Sequence, residues 1–353
     1  MDPASKTSTQ STTTPKFSRV HPIAARVLRR WRTLAAGPDA RDSDRQTLVA
    51  CSGGADSIAL AAILSLVDPK PTIAHIIHDL RSPAQTTQDR DAAATAAQIL
   101  GCPFIERSIE IQSLPGNTEH NARAARYAAL EQIAAENKLP FVATGHHADD
   151  QLETMLMNIS RGAGPRGLAG IQDARPLNSA TLIRPMLSIT HQDAIDLCQL
   201  AGLQWTHDHT NDDQSLTRNK IRHAVLPVLR ALDPEFATRA STTADHCRSM
   251  TTAVSHLVNE HLWTLANHES NAISWSRSAL HNQPDGALVE LFRQSIQYLV
   301  NSTGLDQLTQ QATADAVRAI KGQSTEPRRC RVGPIVVLVH ASRVTISPSH
   351  DQE

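Results

Sequence analysis

This sequence predicts an α/β protein: a parallel-sheet domain, then a small helical domain, then a short β tail. Three observations carry that expectation. From Thr47 to Ala201 short apolar runs alternate with longer, helix-length ones, the pattern of βαβ units with parallel strands. A loop of small residues, Ser52-Gly53-Gly54-Ala55-Asp56-Ser57, separates the first short run from the first long one. Beyond Asp208 strand-like runs cease and do not return until Arg328.

Met1–Lys16 is rich in Ser and Thr with almost no apolar bulk, and reads as disordered. His21–Ala36 sets Ile23, Val27, Leu28, Trp31 and Leu34 at helical spacing, with Arg26, Arg29, Arg30 and Arg32 around them. This basic amphipathic helix suits either a solvated face on a packing helix or an RNA contact. Strands are expected over Thr47–Ala50, Thr72–His78, Phe104–Ile109, Phe141–Thr144 and Thr181–Arg184. The intervening helices are expected over Asp56–Val67, Gln88–Leu100, Glu119–Asn137 and Asp149–Ser160, with another over His191–Ala201. Asp233-Pro234 marks a break. Glu235–Leu265 and Asp285–Lys321 read as helices, interrupted near Asn267–Asn271 and Asn282–Asp285. The β-branched run Val332–Val339, with Arg343–Ile346, suits a small hairpin or sheet. The expected divisions are residues 1–18 as tail, 19–232 as the α/β domain, 233–325 as the helical domain and 326–353 as the β remnant.

Composition narrows the function. The chain has 353 residues, 40% hydrophobic and 20% charged, with a net charge of −1, so a global basic surface for nucleic acid is absent and only a local patch can serve. No run is long enough to span a membrane and no apolar leader opens the sequence, so a cytoplasmic protein with no membrane partner is expected. The five cysteines, Cys51, Cys102, Cys198, Cys247 and Cys330, form no C-x-x-C pair. That argues against structural zinc and a disulfide framework, and fits a reducing compartment.

Between a strand and a helix, Ser52–Ser57 is an anion cradle. Its glycines admit backbone amides close to a phosphate, the helix N-terminus adds partial positive charge, and the hydroxyls of Ser52 and Ser57 add donors. Asp56 would repel a phosphate unless a cation lies between them, which suggests a Mg²⁺-bridged polyphosphate. No G-x-x-x-x-G-K-[ST] loop occurs. His78 and His146 end the second and fourth strands, where ligands of parallel sheets bind. In His146-His147-Ala-Asp149-Asp150-Gln-Leu-Glu153, Asp150 and Glu153 share a helical face and can hold an ammonium group, Mg²⁺, or both. Asp149 reads as an acidic helix start. Arg123 and Arg126 also share a face, as a phosphate clamp or a surface pair. Gly162-Ala-Gly164-Pro-Arg-Gly167 matches a dinucleotide fingerprint but follows a helix and contains Pro165, so it reads instead as a mobile glycine loop. Arg218, Lys220, Arg222, His223 and Arg230 form a strip suited to RNA phosphates or to a charged helix face.

Together these residues resemble the tRNA(Ile)-lysidine synthetases, within the N-type ATP pyrophosphatases (PP-loop ATPases, Rossmann-like). The resemblance runs from Thr47 to about Pro227 and rests on Ser52–Ser57, His78 with Leu80-Arg81, Arg123 with Arg126-Tyr127, His146–Thr154, Arg161–Gly170, Arg184-Pro185, Trp205 with Asp208, and Arg218-Asn219 with Arg222. Asp79 departs from it, standing where the family usually has glycine. The resemblance implies ATP and Mg²⁺ as cofactors, with a tRNA(Ile) bearing the CAU anticodon and L-lysine as partners. It implies ATP binding by Ser52, Gly53, Gly54, Ala55, Asp56, Ser57 and His78, with Asp56 on the metal. It implies lysine binding by His146, Asp150 and Glu153, catalysis by Asp56, Asp150 and Arg126, and tRNA contact by Arg218, Lys220 and Arg222. A tRNA sulfur transferase of the same superfamily, a non-tRNA amide ligase, or a catalytically silent RNA- or nucleotide-binding module is the alternative. The sequence leaves oligomeric state open, a homodimer included.

Overall fold

A computed structural model describes residues 17–37, 39–80, 82–111, 118–206, 217–301 and 308–349. The expected tail Met1–Lys16, and Arg81, Asp208 and Asn211 of the motifs, lie outside the described residues. The chain forms two compact units, divided between Cys247 and Arg248.

The first unit opens with α1 (Pro22–Leu34), which buries Ala24, Val27, Leu28 and Trp31. The Trp31 indole donates to Thr47 Oγ1 at 3.0 Å. Of the basic stripe, Arg32 pairs with Asp42, Arg30 with Asp245 and Asp173, and Arg26 with the Ser188 carbonyl. These arginines therefore fasten α1 to its own unit.

The sheet follows as β1 (Thr47–Ala50), β2 (Thr72–His78), β3 (Phe104–Ile109), β4 (Phe141–Ala143), β5 (Ala174–Pro176) and β6 (Thr181–Ile183), in the spatial order β3-β2-β1-β4-β6-β5. All neighbours are parallel except β5 against β6. The strand order reverses between β1 and β4, so the crevice at their carboxyl ends is where a ligand belongs. Helices α2 (Ala55–Leu64), α3 (Pro83–Leu100), α4 (Thr118–Glu136) and α5 (Ala148–Ser160) provide the crossovers, a single turn, α6 (Pro165–Leu168), lies in the glycine loop, and α7 (His191–Ala201) follows the last strand. α2 is apolar on every side because it is buried on every side: Ile58 to Leu64 are at most 1% exposed. β5 is not expected from the sequence: Pro176 removes a ladder donor, which confines this short strand to an edge.

After residue 217 come α8 (Thr217–Lys220), a π-helical turn Ile221–Val225, α9 (Leu226–Leu232) and α10 (Phe236–His261). The sequence divides the chain at 232/233, whereas the compact units divide within α10. The reason is packing: Ala237, Ala240 and Ala244 bury against Ala148, Leu152, Met155 and Leu226 of the first unit.

The second unit holds a five-stranded antiparallel sheet, β7 (Asn267–Glu269), β8 (Ala272–Ser276), β9 (Arg328–Val332), β10 (Ile335–Val339) and β11 (Arg343–Pro348), in the order β7-β8-β11-β10-β9. Helices α11 (Arg277–His281), α12 (Asp285–Val300) and α13 (Gln310–Lys321) accompany it around Trp275, Leu288, Phe292, Ile320, Val337 and Val344. The expected β tail is thus part of the same core as the helices. The stretch Asn267–Asn271, read as a helix interruption, is half of a hairpin. Buried Arg277 donates to the Ala319, Ile320 and Ser324 carbonyls, satisfying the end of α13.

Candidate functional site

The cradle forms where β1 hands over to α2. Gly53 has φ +91°, and a Cβ there would lie 2.5 Å from the Asp89 carbonyl oxygen, so the turn demands glycine. Thr206 clasps this turn, its amide donating to Gly53 O at 2.9 Å and its hydroxyl to Asp89 Oδ1 at 2.6 Å. Ser57 is buried; its hydroxyl donates to Gly54 O at 2.9 Å and accepts from the Ser52 amide at 3.1 Å. The Ser57 hydroxyl proton is therefore committed to shaping the loop. Gly54 caps α2, and the amides of Ala55, Asp56 and Ser57 open its first turn without intrahelical acceptors. The result is a nest of donors with a helix dipole behind it.

Asp56 stands beside that nest. Its Oδ1 is 2.7 Å from His191 Nδ1, and its Oδ2 is 3.6 Å from His147 Nε2. Gly145 makes room for it: a Cβ on Gly145 would lie 2.9 Å from the Asp56 carbonyl carbon. Asp56, His147 and His191 each offer one ligand atom, all within 4.8 Å of one another. The carboxylate suits Mg²⁺; the two imidazoles suit a softer cation.

The two histidines after β4 are driven apart in proton affinity. Burial lowers the His146 pKa to about 4 despite Asp150, with Arg184 and Arg123 adding to the effect. Burial also opposes charge on His147, but Asp150, Asp56 and Asp149 outweigh it and raise its pKa to about 9. At neutral pH His146 is an imidazole and His147 an imidazolium. His147 links the acids: its Nε2 is 3.4 Å from Asp150 Oδ2 and its Nδ1 is 3.5 Å from Asp149 Oδ2. Asp149 also accepts from the His191 amide at 2.8 Å and from Arg230 Nη2 at 2.7 Å. Asp149 and Asp150 are desolvated, yet their cationic neighbours hold both pKa values well below the usual carboxylate range.

Asp150 and Glu153 do share one face of α5, and that face meets two guanidiniums. Arg218 Nε donates to Glu153 Oε2 at 2.7 Å and its Nη2 to Asp150 Oδ1 at 2.9 Å. Arg222 Nε donates to Glu153 Oε1 at 2.6 Å, and its Nη2 to Glu153 Oε2 at 3.1 Å and Asp150 Oδ1 at 3.2 Å. Two residue sets assigned separately from the sequence are thus one cluster. Lys220 is exposed on the same segment. Arg126 is exposed on α4, and His78 is half-buried at the end of β2.

The glycine loop is held at several points: Gln151 donates to Ala169 O and accepts from the Ile171 amide, and Asn158 donates to Gly167 O. Asp79 has a side-chain duty, since its Oδ1 accepts from the Ile111 amide at 2.8 Å. Among the described residues Asp79 has no positive φ, so nothing at that turn requires glycine. Cys51, Cys102 and Cys198 are buried, and desolvation raises their thiol pKa values, to about 11 for Cys102 and about 12 for Cys198. Such thiols are poor nucleophiles.

His191 and Thr206 carry no functional signal in the sequence, while Asp149, expected only as a helix start, and Arg230, expected in the phosphate strip, pair with each other. His191 is the first residue of a helix capped by Thr190 with Asp193, a pattern that reads as an ordinary helix start. Only the fold carries it to Asp56.

Comparison with known proteins agrees with this geometry. Residues 25–229 match the model of the PP-loop domain. The tRNA(Ile)-lysidine synthase of Nostoc sp. is 30% identical over 83% of this chain and 87% of its own length. The chain belongs to the tRNA(Ile)-lysidine synthase family. The family member from Salinispora arenicola is 40% identical over 63% of this chain and 67% of its own. That from Geobacter sulfurreducens is 35% identical over 72% of this chain, which spans only 55% of the relative. No helix among the described residues is long and apolar enough to cross a membrane.

Proposed function

We propose that the chain joins L-lysine to C2 of the wobble cytidine of a tRNA(Ile) with a CAU anticodon, consuming ATP and releasing AMP and pyrophosphate. The C2 oxygen attacks the α-phosphorus of ATP and pyrophosphate leaves. The lysine ε-nitrogen then bonds to C2, the C2–O bond breaks, and AMP departs with that oxygen. The lysine ammonium has an ordinary pKa of about 10.4 and must shed a proton before it attacks.

The observation that carries this reading is the pair Asp150 and Glu153, joined by shared arginines, with Asp150 one imidazolium away from Asp56 and the cradle. In this reading Ser52–Ser57 and His78 receive ATP, while His146, Asp150 and Glu153 receive lysine. Arg126 and Asp150 serve the transfer. The depressed pKa of Asp150 favours an ammonium-holding role over that of a base. Asp56 would hold Mg²⁺: it provides one hard oxygen next to amides suited to phosphate, which fits a cation shared between one carboxylate and a substrate. When bound, that ion would neutralise charge on the polyphosphate.

Arg218 and Arg222 take part in an exchange. They satisfy Asp150 and Glu153. tRNA phosphates compete for the guanidiniums, and their departure frees the carboxylates for the lysine ammonium. Lys220, exposed beside them, adds a phosphate contact. The test is AMP release from ATP by the full chain. It should require both tRNA(Ile) and lysine for sustained turnover; equal AMP release without tRNA contradicts the reading.

A further inference from the structure

Tyr127 on α4 lies among three arginines. The Arg175 guanidinium sits 4.5 Å from its ring centroid and that of Arg123 5.3 Å. Arg184, 2% exposed, shares a hydrogen bond with the Tyr127 hydroxyl. Arg184 also donates through Nη1 to the Gln172 carbonyl, while its buried Nε has no hydrogen-bond partner. No ion pair joins Arg123, Arg175 or Arg184 to a carboxylate among the described residues. Like charges gathered around one ring repel, and a buried donor left unmade is destabilising. Arg30 and Arg32, by contrast, meet carboxylates, and the guanidinium of buried Arg277 donates from all three nitrogens to carbonyls.

We propose that Arg123, Arg175 and Arg184, with the Tyr127 hydroxyl, form a second phosphoryl-binding subsite whose donors are side chains rather than the backbone amides of the cradle. Arg184 is its floor, with Nε as the donor awaiting an acceptor. Exposed Arg123 and half-buried Arg175 are its rim. A phosphoryl group offers several oxygens and at least one negative charge, which planar guanidiniums match in pairs. The electrostatics agree: although burial favours the neutral phenol, Arg123, Arg184 and Arg175 lower the Tyr127 pKa. The same field reaches His146, whose pKa Arg184 and Arg123 help to lower. The phosphoryl group belongs either to pyrophosphate or to the RNA backbone; that choice of sources rests on the proposed function, whereas the subsite itself does not.

The chain has only two tyrosines, so Tyr298→Phe leaves Tyr127 as the sole phenol reporter. The full-length Tyr298→Phe protein, labelled with ¹³Cζ-tyrosine, is titrated with pH by NMR. It is titrated alone, with pyrophosphate, and with an anticodon stem-loop RNA. A bound phosphoryl group screens the arginines, so the Tyr127 midpoint moves to higher pH. A shift with pyrophosphate alone, or with RNA alone, supports the subsite and names its source. Arg175→Ala, at the rim, should weaken the effective ligand roughly tenfold, and Arg184→Lys should abolish the shift while keeping a charge in place. A midpoint that neither anion moves overturns the proposal. Because no turnover is read, that failure is distinct from failure to make AMP.

Discussion

Arg222 grips Glu153 with two nitrogens, Nε on Oε1 at 2.6 Å and Nη2 on Oε2 at 3.1 Å, and Glu153 is fully buried. A buried carboxylate survives only with such partners. Arg222→Ala should therefore destabilise the first unit, by about 2–4 kcal/mol in denaturant unfolding. Glu153→Gln in the same chain should recover part of that loss. An additive double mutant would mean that the pair contributes no coupling.

The same pair makes a ligand-exchange prediction. With Arg218→Ala and Arg222→Ala, each lost phosphate contact should lower the log–log salt slope of tRNA binding by about 1. Lysine binding by calorimetry in the absence of tRNA should strengthen in either folded variant, because an acceptor is freed. An unchanged slope with unchanged lysine affinity assigns both arginines to structure alone.

Stability should fall on the alkaline side of neutrality, through His147. Its folded pKa of about 9 exceeds the 6.5 of the free side chain, so its contribution is complete below pH 6.5 and is lost as pH rises through 9. The shift corresponds to up to about 3 kcal/mol. Asp56, Asp149 and Asp150 face this ring, as does His191, and His146 interacts with it electrostatically. Asp149 and Asp150 act in the opposite range, their contribution being lost as pH falls below the ordinary carboxylate pKa. Unfolding free energies of wild type and His147→Gln at pH 6 and pH 9 check this: the wild type should lose stability between them, and the variant should lose much less.

Gly145→Ala tests the positioning of Asp56. The added Cβ would sit 2.9–3.0 Å from the Asp56 carbonyl and the Ser57 amide, forcing the start of α2 to shift. ATP-dependent AMP formation should fall at least tenfold while far-UV circular dichroism stays native. Asp56→Asn should remove AMP formation altogether and leave the fold intact. Near-full AMP formation by Asp56→Asn would take Asp56 out of the chemistry.

Much of this architecture is legible in the sequence, for identifiable reasons. Thr47–Ala50, Thr72–His78, Phe104–Ile109 and His191–Ala201 form as their apolar patterning predicts, because apolar period and run length are local signals. The Asp150–Glu153 face follows from helical spacing. The hairpin Asn267–Ser276 does not, since β7 is fully exposed and carries no apolar alternation. Nor does the clasp of Arg218 and Arg222 on Asp150 and Glu153, whose members lie 65 to 72 residues apart. Spacing assigns each pair a partner type; only the fold shows that they meet each other.

The central claim is best tested by mass analysis of the wobble nucleoside after the full chain is incubated with ATP, L-lysine and a tRNA(Ile) with a CAU anticodon. The account predicts a cytidine carrying one lysine joined at C2 with loss of the C2 oxygen, formed only when all three substrates are present. An unmodified cytidine from folded protein, or a thiolated one, would contradict it.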